Sequence, residues 1–228
     1  MPKYFVDEGM RLGEDTVRHL RTVLRAKVGE KIILCDGQAV DYHCVVESLD
    51  PFRYRVESRE ESGTEPRCKI TLYQAMPKAD KLEWIVQKAV ELGVHAVVPV
   101  YTERSINKNA RLDRLQKIAE SAAGQSMRGI IPNVCLPVSM DEAMKLAMSG
   151  TDYMLAAHEK ADQGMGNLPD EDEINGIGLW IGPEGGFSEK ETAAMEGAGF
   201  RLMSLGPRIL RTETAAIAAI AQIMMVKG

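Results

Sequence analysis

The sequence predicts an α/β protein with two domains: a small N-terminal β-barrel and a C-terminal domain built on a mostly parallel sheet. In the first third, short strands are separated by tight turns such as Asp36-Gly37, which is typical of a small barrel. From residue 69 onward, apolar strands alternate with amphipathic helices, which indicates a parallel sheet covered on both faces. A polar segment at residues 60–66 (EESGTEP) separates the two patterns, so we predict domains at 1–66 and 67–228.

The N-terminal domain is predicted to contain one helix among its strands. The helix covers residues 14–25, because Val17, Leu20 and Leu24 recur at helical spacing. Alternating or β-branched residues predict the strands, which cover residues 4–6, 31–35, 41–48 and 54–58.

The C-terminal domain is predicted from its capping residues and its apolar runs. Asp80 is a candidate N-cap for a helix that Gly93 ends, and Ser188 with Glu191 forms a capping box for a later helix. The other predicted helices cover residues 112–123, 140–148 and 212–227. The predicted strands cover residues 70–75, 94–100, 154–157, 177–181 and 202–205.

The net charge of −5 argues at first against a nucleic-acid partner, but the charge is unevenly distributed. Residues 151–196 contain 2 basic and 11 acidic residues, and the remainder of the chain is net positive by 4. Residues 163–175 within that stretch are predicted to be a solvated acidic loop. The acidic average therefore does not exclude an anionic partner.

The cysteines and the apolar segments predict the compartment. The cysteines are Cys35, Cys44, Cys68 and Cys135, and no two form a C-x-x-C pair, so we expect buried thiols and no metal. The longest apolar run, residues 215–226, is shorter than the roughly 20 residues that span a bilayer. We expect a soluble cytoplasmic protein.

A glycine-rich segment at residues 181–188 (IGPEGGFS) is the first candidate site. It joins an apolar strand to a capped helix, at the edge of a parallel sheet where ligands usually bind. A plain tight turn is the alternative, but such a turn needs one glycine at most and this segment has three. It matches neither a Walker loop nor G-x-G-x-x-G, so a nicotinamide cofactor is not indicated.

A second Gly-Pro segment at residues 205–215 (LGPRILRTETA) also joins a strand to a helix. Arg211 stands at the N-terminus of that helix, where the helix dipole favours an anion. Arg211 is therefore predicted either to act on a phosphate or to pair with Glu213.

Basic residues elsewhere are candidate RNA contacts. Arg18, Arg21 and Arg25 recur at helical spacing and form either a phosphate-contacting ridge or a solvated helix face. Arg104 follows an apolar strand, and Arg128 follows a helix whose terminal carbonyls it could instead satisfy.

The last helix is apolar on nearly all sides. A helix without a polar face must be covered all round. Either the monomer buries it, or it forms the interface of a homodimer.

These segments together resemble the RsmE family of ribosomal RNA methyltransferases, in the SPOUT (trefoil-knot) superfamily. The resemblance covers most of the chain and rests on HLRTVLRAKVGEKIILCDG, QAMPKADKLEWIVQKAVELGV, PVYTERS, IGPEGGFSEKE and LGPRILRTETAA. This sequence departs from the family at Lys3, where arginine is usual, and at Gly124, where glutamate is common.

The resemblance implies a PUA-like RNA-binding domain, a knotted SPOUT domain and a homodimer. The implied reaction is S-adenosylmethionine-dependent methylation of a uridine N3 in 16S rRNA of the small ribosomal subunit, with a non-catalytic RNA-binding assembly factor as the alternative. The implied catalytic groups are Glu184 or Glu213 as base and Arg211 as electrostatic stabiliser. The implied cofactor-binding residues are Leu155, Ala157, His158, Ile181, Gly182, Pro183, Glu184, Gly185, Gly186, Leu205, Gly206, Ile209, Leu210, Arg211, Thr212 and Ala215.

Overall fold

A computed structural model describes residues 1–78, 81–106, 110–161, 164, 168, 174 and 176–227. The chain divides into two compact units. The first contains residues 1–65 and 120–131, and the second contains residues 66–119 and 132–228. The predicted domains, 1–66 and 67–228, differ from these units because residues 120–131, predicted in the second domain, belong to the first unit. The proposed helix cap Asp80 and most of the predicted acidic loop lie outside the described residues.

The first unit is built on a four-stranded mixed sheet in the order β1-β2-β3-β4. Strands β1 and β2 are parallel, and the other two pairs are antiparallel. Its core is formed mainly by Ile32, Leu34, Cys44 and Val46, all at most 1% exposed. The elements are β1 (Lys3–Phe5), α1 (Glu14–Thr22), β2 (Lys31–Cys35), β3 (Val40–Leu49) and β4 (Phe52–Glu61).

Helix α1 is shorter than the sequence predicts. It ends at Thr22, and Arg25 has a φ of 51°, which lies in the left-handed region. The prediction that Arg18, Arg21 and Arg25 share one helix face is therefore wrong for Arg25.

Residues 120–131 are tied to the rest of the first unit by two buried cations. The Arg128 guanidinium lies 2.5 Å from the Glu65 carboxylate and is 4% exposed. The Lys3 ammonium lies 2.7 Å from the Asp41 carboxylate and donates to the Met127 carbonyl at 3.1 Å. Buried cations need such partners, because an unpaired buried charge is strongly destabilising.

The second unit is built on a parallel sheet in the order β11-β9-β10-β5-β6-β7, with β8 also pairing with β6. The strands are β5 (Lys69–Ala75), β6 (Ala96–Tyr101), β7 (Asn133–Val134), β8 (Val138–Ser139), β9 (Tyr153–Ala157), β10 (Gly176–Ile181) and β11 (Arg201–Met203). The helices are α2 (Lys81–Glu91), α3 (Leu112–Gln125), α4 (Met140–Gly150), α5 (Glu189–Gly197) and α6 (Thr212–Lys227). The two-residue strands β7 and β8 carry no sequence periodicity, and we did not predict them.

The centre of this sheet is β10, whose residues are all buried. Trp180 stacks on Tyr73 of the neighbouring strand β5, with ring centroids 4.5 Å apart. Because β5, β10 and β11 are parallel strands of this sheet, their carboxyl ends lie at the same edge. The segments that follow these strands therefore meet at that edge.

Helix α6 has both a buried and an exposed side. Ala216, Ala219, Ile220 and Ile223 are fully buried, whereas Met225 is 88% exposed. Burial within the monomer thus accounts for one side of the helix. Among the described residues, no helix combines the length and the hydropathy that crossing a membrane requires.

Candidate active site

A cavity of about 440 Å³ opens at the carboxyl edge of the second unit's sheet. Its volume lies within the roughly 300–1,000 Å³ that small-molecule sites occupy. Two loops form much of its lining. We name residues 182–187, between β10 and α5, the first glycine loop, and residues 204–211, between β11 and α6, the second glycine loop.

The first glycine loop requires glycine for close approach and for backbone conformation. A Cβ atom at Gly182 would meet the Gly186 Cα and the Phe187 amide nitrogen at 3.3 Å. Gly186 has a φ of 67°, which side chains rarely adopt. The loop is closed by a hydrogen bond from the Gly186 N–H to the Pro183 carbonyl, at 2.9 Å. The backbone of these glycines therefore forms part of this wall, beside Pro183, Glu184 and Phe187.

Arg104 holds the first glycine loop from outside. Its Nη1 donates to the carbonyls of Gly185, at 2.7 Å, and Phe187, at 3.4 Å. The predicted capping box is confirmed at the end of the loop, where Ser188 and Glu191 exchange hydrogen bonds.

The second glycine loop makes fewer bonds. Gly206 has a φ of 103°, and its N–H donates to the Ser204 hydroxyl at 3.2 Å. Ile209 is 85% exposed although it lines the cavity, and Arg208 beside it is also exposed.

A buried chain of hydrogen bonds connects the first glycine loop to the start of α6, directly after the second glycine loop. The Thr212 hydroxyl donates to the Gly182 carbonyl at 2.7 Å and accepts from the Gln74 amide at 3.0 Å. Thr212 and Gln74 are 4% and 0% exposed. The start of α6 is thereby fixed against the first glycine loop.

Charged groups form a second connection between the first glycine loop and the start of α6. The Lys81 ammonium lies 3.0 Å from Glu184, in the first glycine loop, and 3.0 Å from Glu213, in the first turn of α6. Burial alone would raise the pKa of Glu184, but its own backbone N–H, the Lys81 ammonium and the Lys78 N–H hold it below its ordinary value. Burial would also raise the pKa of Glu213. Its own backbone N–H, the Lys81 ammonium and the Arg211 charge outweigh burial and lower that pKa.

The structure brings together nearly all of the residues predicted to bind the cofactor. All of them line the cavity except Leu155 and Arg211. Leu155 is fully buried within β9, where it pairs with β10 and β11, and Arg211 is exposed at the end of the second glycine loop. These two residues were predicted to bind the cofactor from the resemblance to the family, but they do not line the cavity.

The cavity also has lining residues that we did not predict from the sequence. Helix α5 contributes Glu189, Thr192, Ala193 and Glu196. Their spacing of three and four residues marks one helix face, which could have been recognised once α5 was assigned to the cavity edge. The other unpredicted lining residues are Glu159, Lys160, Phe187 and Arg208, and Arg104, which was predicted as an RNA contact, also lines the cavity.

The residues predicted to bind RNA lie in different settings. Arg18 and Arg21 are exposed on α1, and Arg21 lies 3.2 Å from Asp50. Arg104 lines the cavity and bonds the first glycine loop. Arg128 is buried against Glu65, so its guanidinium is not presented to an external ligand, and the prediction for it is wrong.

The cysteines lie outside the cavity lining. Cys35, Cys44 and Cys68 are buried, and burial raises the pKa of both Cys35 and Cys44 to about 11. Across the described ranges, no three His, Cys, Asp or Glu side chains are grouped in a way that could hold a metal ion.

Comparison with known proteins identifies both units. Residues 64–224 match the family model described as an RNA methyltransferase domain. Residues 12–56 match the model described as an RNA methyltransferase PUA domain. The first unit is accordingly PUA-like, and the second has the α/β fold of the methyltransferase domain.

Two curated relatives carry the name ribosomal RNA small subunit methyltransferase E. The protein from Bacillus subtilis is 33% identical, over 92% of this chain and 87% of its own length. The protein from Synechocystis is 30% identical, over 97% of this chain and 75% of its own length.

Solved structures agree with these relatives. The ribosomal RNA small subunit methyltransferase E of Neisseria gonorrhoeae, bound to S-adenosyl methionine, has a TM-score of 0.89 and 33% identity, covering 99% of this chain and 97% of that one. A putative methyltransferase from Legionella pneumophila, with bound cofactor SAM, has a TM-score of 0.90 and 30% identity over the same shares. The chain described here belongs to the ribosomal RNA small subunit methyltransferase E family.

Proposed function

We propose that this protein transfers a methyl group from S-adenosylmethionine to N3 of a uridine in 16S rRNA of the small ribosomal subunit, in the cytoplasm. The observation that carries the proposal is the cavity between the two glycine loops, where Gly182, Gly185, Gly186 and Gly206 form part of the lining. Relatives of the same family fold, at 30% identity or more, hold the cofactor in their solved structures.

The cavity fits this cofactor chemically. Exposed backbone N–H and carbonyl groups of the glycine loops suit the donors and acceptors of an adenine ring, and Ile181, Leu205 and Leu210 supply apolar contact. Side chains at Gly182 or Gly186 would either collide with the loop backbone or strain it. Bound here, S-adenosylmethionine supplies an electrophilic methyl group on a sulfonium.

The uridine N3 proton must be lost before or during methyl transfer, because N3 is normally protonated near neutral pH. Glu184 and Glu213 are candidate bases, yet the lowered pKa of each makes it a weaker proton acceptor. Arg211, exposed at the end of the second glycine loop, is better suited to stabilise the negative charge that develops on the uracil ring when N3 loses its proton. We therefore favour Arg211 as the cation that stabilises the N3 anion, with the N3 proton leaving to solvent water, over either carboxylate as the proton acceptor.

RNA contact is assigned to the exposed arginines of the first unit. Arg18 and Arg21 lie on α1 and Arg25 follows it, so all three can contact phosphate. Replacing Arg18 and Arg21 by alanine should flatten the salt dependence of RNA binding, by about one unit of slope for each phosphate that the variant no longer neutralises. Arg55→Ala is the matched control, because Arg55 on β4 pairs with Glu47 on β3 and with Glu57 on its own strand. An unchanged slope in the double variant would contradict this assignment.

A homodimer completes the proposal. The exposed apolar end of α6, with Met225 at 88% and Val226 at 55% exposure, is the surface we assign to the interface. Replacing both by aspartate should shift the sedimentation coefficient to that of a monomer. A wild-type protein that sediments as a monomer would refute the dimer.

The decisive experiment is mass spectrometry of small-subunit rRNA from a strain that lacks this gene. N3-methyluridine should disappear there and return when the gene is restored. Its persistence would refute the proposed reaction. Calorimetry with S-adenosylmethionine separates the enzyme from a non-catalytic RNA-binding factor, which should not bind the cofactor.

A further inference from the structure

Lys81 occupies a place that neither glycine motif contains. It begins α2, yet its ammonium contacts carboxylates from two other elements, each at 3.0 Å. Glu184 is itself a lining residue of the cavity, and Glu213 directly follows Thr212, which is another. Three segments of the sheet edge therefore meet at one cation.

The charge balance makes this cation necessary. Both carboxylates lie 3.0 Å from the same nitrogen, so they are within about 6 Å of each other, where like charges repel appreciably. The side chains of Lys81, Glu184 and Glu213 are only 30%, 24% and 17% exposed, which limits screening by solvent. Without the ammonium, the first glycine loop and the start of α6 would repel each other.

We propose that Lys81 is a positioning residue for methyl transfer, whose ammonium group joins the first glycine loop to the start of α6 at the cofactor cavity by neutralising Glu184 and Glu213. This inference rests on the proposed function, because it takes the cavity to be the S-adenosylmethionine site. Lys81 does not line the cavity and acts through the two carboxylates.

The surrounding groups support this role. The Lys78 N–H donates to the Glu184 carboxylate at 3.1 Å, so the first glycine loop is anchored both to Lys78, between β5 and α2, and to Lys81 in α2. The nearby carboxylates of Glu213 and then of Glu184 raise the pKa of Lys81, so this side chain is charged at neutral pH. Arg211 is the other cation that acts on Glu213. The Gln74–Thr212–Gly182 chain joins the first glycine loop to the start of α6 with neutral groups, so of these two connections it is the one through Lys81 that depends on charge.

The first test is the affinity for S-adenosylmethionine, measured by calorimetry at about pH 7.5 on the full chain. Lys81→Met should weaken binding about tenfold, as disruption of a coupled charge network does. Lys88→Met is the matched control, because Lys88 lies on the same helix and pairs with Glu91 within it. It should bind as the wild type does. Failure of the wild type to bind would refute the proposed function, whereas equal binding by wild type and Lys81→Met would refute only the role of Lys81.

Two further variants separate positioning from a general structural defect. Lys81→Arg retains the cation, and Lys81→Met combined with Glu213→Gln removes one of the two repelling charges. Both should recover most of the affinity that Lys81→Met lacks. The proposal is overturned if Lys81→Arg and the double variant both bind S-adenosylmethionine as weakly as Lys81→Met does. If Lys81→Met does not fold, the proposal is overturned when Lys81→Arg and the double variant both bind at least tenfold more weakly than wild type.

The pH dependence gives an independent readout. When the pH is lowered to about 5, the affinity of Lys81→Met for S-adenosylmethionine should move closer to that of wild type. Protonating one of the two unpaired carboxylates removes their repulsion. A variant whose deficit relative to wild type is constant over this range would contradict the electrostatic role.

Discussion

The two glycine loops line one cavity but are held very differently. The first accepts hydrogen bonds from Arg104 at two carbonyls, from Thr212 at Gly182 and from the Lys78 N–H at Glu184. In the second, all of which is described, the hydrogen bonds of residues 204–210 are confined to the turn between Ser204 and Gly206. One wall of the cavity is thus fixed before a ligand arrives, and the other has few internal restraints.

This difference indicates that the two glycine loops have different roles in ligand binding. A fixed wall loses little conformational freedom on binding, so it provides affinity and orientation at low entropic cost. A weakly restrained wall with exposed Arg208 and Ile209 can adapt to a second, larger ligand at the cavity mouth. We associate the first loop with the cofactor and the second with both the cofactor and the RNA.

The largest expected difference is in amide hydrogen exchange. Amides of residues 184–188 should exchange about tenfold or more slowly than those of residues 205–210, because local stability follows hydrogen bonding and packing. Mass-spectrometric exchange on the free protein measures this directly. Adding S-adenosylmethionine should protect the second loop more than the first. Equal exchange of the two loops in the free protein would remove the basis of the comparison.

Thr212→Val should have the next largest effect, because it cuts the buried connection between the loops. The substitution leaves the Gly182 carbonyl without its 2.7 Å donor, at a cost of about 1–3 kcal/mol in the free energy of unfolding. Urea denaturation measures that decrease. Thr214→Val, at an exposed position on the same helix, is the control and should be nearly neutral. Thr212→Ser should behave as wild type, and a stable Thr212→Val variant would show that the buried bond does not hold the loop.

Arg104→Ala should have a smaller effect that falls mainly on cofactor binding. Arg104 is exposed, so its removal leaves no buried charge, but the carbonyls of Gly185 and Phe187 lose their donor. We expect S-adenosylmethionine to bind about fivefold more weakly, equivalent to removing a single hydrogen bond of roughly 1 kcal/mol. Arg111→Ala, an exposed arginine 4.0 Å from Asp113, controls for the removal of positive charge. Equal affinity in the two variants would argue that the first loop needs no external support.

The sequence predicted the loops well because their signals are local. An apolar strand, a glycine run and a capping box lie between Gly176 and Glu191, and each has a direct conformational meaning. The partners of charged residues are not local, and prediction from the sequence failed there. Arg128 pairs with Glu65, and Lys81 with Glu184 and Glu213, across separations that only the tertiary fold brings together. Charge type alone could not distinguish a buried ion pair from an RNA contact.

Ser204→Ala should have the smallest effect and tests the weakly restrained loop. The substitution removes the hydroxyl that accepts the Gly206 N–H, but that N–H can bond to water because Gly206 is exposed. The free energy of unfolding should therefore change by less than about 0.5 kcal/mol, as is usual for surface substitutions. Cofactor affinity should change little for the same reason, whereas Gly206→Ala should reduce it, because its φ of 103° strains any side chain. Should Ser204→Ala destabilise the protein as much as Thr212→Val, the second loop would be as firmly held as the first, and the division of work between them would fail.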